Sequence, residues 1–127
     1  MKKISRNGFS FVELLVVVTI IAVIFSAGVV SYAEVSKKSR DARRKSDLEA
    51  IRSSLELCRS YAGVYPDFVY PSVSCGTPVV IYLQATPEDP KSGEQYVYSP
   101  NGTNSSYTVT ANLESPSYPT EYELTNP

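Results

Sequence analysis

From Phe9 to Ala33 the chain carries one charged side chain, Glu13, in a run otherwise built from Val, Ile, Leu, Phe, Ala and a few small polar residues. At about 1.5 Å rise per residue, a helix over this run is long enough to cross the ~30 Å hydrocarbon core of a bilayer. In front of it lies a short polar leader with Lys2, Lys3 and Arg6, closing on Gly8. A secretory signal shares the basic start, but its cleavage site follows the apolar core. Here the distinctive junction, Gly8-Phe9, precedes it. Glu13 is the anomaly, because a carboxylate in an apolar run costs a few kcal/mol on insertion scales, less near the end than at the centre. Two readings stand: Glu13 rests at the headgroup level, or it takes a partner inside an apolar assembly. A cut after Gly8 would create such a partner, the α-amino group of Phe9.

The stretch Gly8-Phe9-Ser10-Phe11-Val12-Glu13-Leu14-Leu15 resembles the prepilin processing motif of type IV pilins and type II secretion pseudopilins. The resemblance implies that a prepilin peptidase cuts between Gly8 and Phe9 on the cytoplasmic side. It also implies that Phe9 is then N-methylated and that Glu13, fifth in the mature chain, serves assembly. The similarity extends through Asp41-Ala42-Arg43-Arg44-Lys45-Ser46-Asp47-Leu48 and Gly63-Val64-Tyr65-Pro66 and is looser beyond. The chain departs from the pattern where many members have Pro at the place of Val30 and Gly at the place of Ala22. Without that Pro, a helix kink loses its usual cause. The acidic calcium loop of secretion-type major pseudopilins has no counterpart among Glu114, Glu121 and Glu123, so no metal or other cofactor is expected.

The net charge of −1 over 127 residues hides a division. Lys37, Lys38, Arg40, Arg43, Arg44 and Lys45 make a basic neck with Asp41 as its one acid, whereas Lys91 is the only basic residue after Tyr61. Counting Lys and Arg beside the apolar run would place the N-terminus outside. The processing motif and the character of the remainder argue for the opposite: a cytoplasmic leader and an exported head. The segregation of charge suggests that Arg43 and Arg44 meet Glu88 and Asp89 of a neighbouring subunit. Cys58 and Cys75 pair in an oxidising compartment or remain two buried thiols; export favours the disulfide, which would stabilise the head by about 3 kcal/mol.

All nine prolines lie at or after Pro66, so one helix is expected from the apolar run to about Gly63, a C-terminal stop. Leu48, Ile51, Leu55, Cys58 and Ala62 step by three and four and define a core face. Ala50, Leu57 and Tyr61 form a thinner stripe nearly opposite, either scattered exposed residues or a contact to neighbouring helices. Glu56 with Arg59, and Asp41 with Lys45, are spaced for weak surface pairs. Val64 to Glu94, broken by five prolines, reads as a connecting loop, with Val79–Leu83 a short strand or helical turn. Gln95–Ser99 and Ser106–Leu113 alternate about the turn residues Pro100-Asn101-Gly102 and predict a hairpin, with Glu121–Thr125 a third strand. Asn101-Gly102-Thr103 and Asn104-Ser105-Ser106 match the glycosylation pattern but read as loop chemistry.

The expected fold is α+β: a leader (1–8), an apolar helix half (9–33), an amphipathic half (34–62) and a pilin-like head (63–127) with a small antiparallel sheet of about three strands. Enzymatic chemistry is not expected. The chain has no His, two cysteines alone cannot hold zinc, and Glu88-Asp89 between prolines reads as a solvated turn. The resemblance implies a structural subunit that waits in the bacterial cytoplasmic membrane, head outside, and polymerises through its helix into a pilus or pseudopilus. Its partners would be copies of itself and related pilins, the peptidase and methyltransferase, and an inner-membrane assembly platform. Nucleic acid would enter only in a DNA-uptake pilus. The alternatives are a minor or tip pilin that binds DNA or a surface ligand, and an anchored head without an assembly role.

Overall fold

The computed structural model describes residues 8–116 and 119–126, apart from the side chains of 27 and 29–31. The chain divides into two units, Met1–Val35 and Ser36–Pro127. One helix, α1 (Phe11–Ala62), supplies secondary structure to both.

In the first unit, α1 starts where Leu14 N–H donates to Ser10 C=O at 3.2 Å. The Val, Ile and Leu residues that follow have no polar face to turn to water. Every large apolar side chain described from Phe11 to Phe25 is 48–78% exposed. Among the described residues no helix is long and apolar enough to cross a membrane. The described side chains run unbroken only from Phe11 to Ser26, about 24 Å of helix against a ~30 Å core.

In the second unit the predicted stripe forms the core. Leu48, Ile51, Leu55 and Cys58 are buried, and Ala62, at the last turn, is half-buried. The helix stops as expected: Gly63 takes φ +83° and donates to Arg59 C=O at 2.7 Å. A left-handed residue closes a helix in this way, and glycine adopts that conformation without a Cβ penalty.

Two antiparallel sheets complete this unit. β1 (Val73–Cys75) pairs with β2 (Val80–Leu83). β3 (Val97–Pro100), β4 (Tyr107–Asn112) and β5 (Glu121–Thr125) form a second sheet in the order β3-β4-β5. The three strands expected at the C-terminal end are therefore present. Alternation along β4 sends Tyr107, Val109 and Ala111 into the same core as the helix stripe. The loop Asn101–Ser106 is closed by the Asn101 side chain, whose Oδ1 accepts from Ser105 N–H at 2.8 Å, a local bond that favours Asn in turns.

The segment Val64 to Glu94 is not only a loop. It contains β1 and β2, and the apolar run Val79–Leu83 supplies the second of them. A three-residue strand between Pro71 and Gly76 is too short to show alternation, so β1 left no pattern in the sequence. Tyr82 and Leu83 of β2 pack against the core.

Candidate functional site

In the first unit, Gly8, Phe9 and Ser10 precede the helix and are exposed, with Phe9 at 84%. No atom would oppose a Cβ at Gly8. The junction expected to be cut therefore lies outside the helix and is open to solvent. Glu13 lies in the first turn of α1, exposed, where unpaired N–H groups favour a negative charge.

In the second unit the charged residues of the neck build something the sequence did not suggest. Asp41 is fully buried and Arg44 is 3% exposed. Arg44 Nη1 donates to Asp41 Oδ1 at 2.7 Å, and Arg44 Nε donates to Asp89 Oδ2 at 2.5 Å. Arg44 Nη2 lies 2.8 Å from Glu114 Oε1. Arg40 grips Glu114 through two hydrogen bonds of 2.8 and 2.7 Å, and Lys91 Nζ reaches Glu114 Oε2 at 3.0 Å. The Asp41 carboxylate also accepts the backbone N–H groups of Glu114 and Ser115 at 2.9 and 2.8 Å. Three cations, Arg40, Arg44 and Lys91, thus meet three carboxylates, Asp41, Asp89 and Glu114. Balance of this kind makes burial of charge tolerable, because each lone pair and proton finds a partner. The hydrogen bond from Arg44 holds the Asp89 carboxyl well below the usual carboxylate range, and that from Arg40 does the same for Glu114. The bond to Asp89 correspondingly raises the Arg44 guanidinium.

Four expectations are corrected here. Arg44 and Asp89, expected to meet between subunits, are bound to each other within one chain, so neither is free to serve a neighbour. Asp89 is no plain solvated turn residue. Besides Arg44 it accepts the backbone N–H groups of Lys91 and Ser92 at 2.8 and 2.9 Å, which shapes the turn after Pro87. Asp41 pairs with Arg44, three residues on, and Lys45 sits 5.2 Å from the Tyr122 ring centroid. Glu56 and Arg59 meet through an intermediary: Arg59 Nη1 donates to Tyr65 Oη, which donates to Glu56 Oε1, both at 2.9 Å. The reason is common to all four. Helical spacing identifies neighbours on the helix surface, whereas the loops that fold back over it decide which neighbours are covered.

The remaining candidates are exposed. Arg43 and Glu88 face solvent, as do Ala50, Leu57 (54%) and Tyr61 (47%). The Tyr61 ring lies over Gly76, where a Cβ would come within 2.2 Å of it. Cys58 and Cys75 are joined, with Cα atoms 5.9 Å apart. Among the described residues no group of His, Cys, Asp or Glu is arranged to hold a metal ion.

Residues 4–29 match the sequence family described as "Prokaryotic N-terminal methylation motif". That motif is the signature of type IV pilins and pseudopilins, a class of proteins that is in general structural. No curated protein and no solved structure matches the chain.

Proposed function

We propose that this chain is a structural subunit that, once cut between Gly8 and Phe9, polymerises through the N-terminal half of α1 into a type IV pilus or secretion pseudopilus. The observation that carries the reading is the joining of three features in one short stretch: an exposed Gly8-Phe9 junction ahead of the helix, Glu13 in the first turn of the helix, and apolar side chains around its whole circumference. An apolar surface of that extent needs a cover. Before assembly the cover is lipid, with the run 9–33 as a single span, the leader in the cytoplasm and the head outside. After assembly it is the same run of neighbouring subunits. Lipid and protein are about equally apolar, so van der Waals packing and polar pairing must drive the exchange. A contact that does not close on itself gives an open helical fibre.

Glu13 sets the register. Its carboxylate on an incoming subunit pairs with the Phe9 ammonium of the subunit already in place, because an unpaired charge among apolar helices is costly. Leu57, Tyr61 and Ala50 of the exposed stripe, with Arg43 and Glu88, supply weaker contacts between heads. The test is mass spectrometry of protein from its native host, with filament yield measured beside it. Wild type carries a methylated Phe9 N-terminus. Glu13→Val is still cut after Gly8 but enters filaments poorly, and Glu13→Asp falls between. Assembly of Glu13→Val at wild-type yield sinks the pairing mechanism; an intact leader on assembled protein sinks the processing.

A further inference from the structure

Among the described residues of the second unit, Phe68 is the most exposed large apolar one, at 78%, and it stands on a rigid frame. Thr86 Oγ1 donates to Val69 C=O, Thr86 N–H donates to Pro71 C=O at 3.0 Å, and Val69 itself is buried. On the other side Tyr98 Oη donates to Pro66 C=O at 2.7 Å. A phenyl ring held in water by such a frame contributes nothing to the core. Two clefts flank it, of about 520 and 440 Å³, and both share Asp67, Phe68, Tyr70 and Pro71. Each lies within the ~300–1,000 Å³ typical of small-ligand sites.

The chemistry of the walls selects the ligand. The hydroxyls of Tyr70 and Tyr98 are engaged with Pro87 and Pro66 carbonyls, at 2.8 and 2.7 Å. What these residues leave to the clefts is ring surface. Asp67 uses Oδ1 to accept from Asn104 Nδ2 at 2.6 Å, which fixes the carboxylate and leaves a second oxygen as acceptor. Gln95 on one side and Ser72 on the other add neutral polar groups. Among the described residues no Lys or Arg lines either cleft, so none of them neutralises phosphate there, the group that dominates nucleic-acid affinity. Flat apolar rings beside a carboxylate, an amide and a hydroxyl match a pyranose whose hydroxyls are equatorial. Its C–H face stacks on the ring and its rim donates to the carboxylate.

We infer that the paired clefts around Phe68 bind a neutral oligosaccharide of pyranoses with equatorial hydroxyls, with Phe68 as the stacking platform and Asp67 as the hydroxyl acceptor. The inference does not depend on how the N-terminal helix assembles. It is tested by isothermal titration of the full chain, held in a detergent without a sugar headgroup, with cellohexaose and with N-acetylchitohexaose. Single-stranded oligothymidylate is the counter-probe. At least one oligosaccharide binds saturably, and Phe68→Ala weakens it about tenfold or more, the loss of one good stacking contact. Phe68→Tyr, which keeps the ring, holds affinity within about threefold. Phe68→Ala leaves the unfolding midpoint in place because the side chain is exposed, so lost binding cannot be assigned to misfolding. Three results overturn the inference: no binding of either oligosaccharide up to about 10 mM, beyond the millimolar range of weak ligands; binding unchanged in Phe68→Ala; or Phe68-dependent binding of oligothymidylate.

Discussion

Arg44 is the residue on which the head's charged network turns. It touches Asp41, Asp89 and Glu114, which come from the helix, the turn after Pro87 and the segment after β4. Replacing it by Met keeps much of the volume and removes the guanidinium that pairs with the fully buried Asp41 carboxylate. Breaking a buried ion pair on one side costs about 3–5 kcal/mol, because the partner is left charged and dry. Arg44→Met should therefore lose stability of that order in denaturant unfolding of the full chain. Arg43→Met, one residue earlier but exposed, should change it by less than about 0.5 kcal/mol. Equal losses for the two variants would show that burial does not set the cost. The contrast also bears on assembly, since only Arg43 of the two remains available to a neighbouring chain.

At the scale of elements, the weak member is the β1–β2 hairpin. Its strands are three and four residues long, and two short strands alone are marginal in water. Two attachments compensate. Tyr82 and Leu83 pack on the core, and the Cys58–Cys75 bond ties the hairpin to the last turns of α1 across a sequence separation of 17. Closing a loop of that size stabilises by about 3 kcal/mol in the chain-entropy model. The double variant Cys58→Ser, Cys75→Ser should lose roughly that amount. Hydrogen exchange should rise first in Val73–Leu83, ahead of β3, β4 and β5. Uniform exchange across both sheets would mean that the bond serves the whole head equally. The hairpin of β3 and β4 needs no such staple, because Asn101 closes its turn and β4 is buried on one face.

At the scale of the whole molecule, stability is bounded on both sides of neutral pH by groups in the second unit. Asp89 and Glu114 have folded pKa values below their ordinary ones of 3.8 and 4.5, chiefly through the hydrogen bonds from Arg44 and Arg40. A depressed carboxylate contributes stability that is fully present above its unfolded pKa and is lost as pH falls toward the folded one. Tyr96, Tyr98 and Tyr107 are pushed above 10.0 chiefly by burial. Their contribution is full below pH 10 and is lost as pH rises through the folded values. Unfolding free energy should therefore be flat between about pH 5 and 9, fall below pH 4 and fall again above pH 10. Circular dichroism with tyrosinate absorbance checks this. Arg44→Met should flatten the acid limb and leave the alkaline limb unchanged. An acid limb equally steep in that variant would assign it to other carboxylates.

The sequence by itself determined what depends on neighbours along the chain. The methylation motif at the N-terminal end, the uninterrupted helix, its stop at Gly63, the core stripe from Leu48 to Cys58 and the β3–β4 turn are all local patterns. Each follows from side-chain period, backbone restriction or a short-range hydrogen bond. The tertiary structure alone decided what depends on chain return. Asp41 meets Glu114 across 73 positions and Arg44 meets Asp89 across 45, so residues that read as a basic neck turned toward neighbouring subunits became a buried lock. The clefts beside Phe68 likewise gather residues from Asp67 to Tyr98. Local rules rank the propensity of each segment but carry no information about which distant loop will cover it. Burial, which turns a weak surface pair into a costly internal one, is a property of that cover.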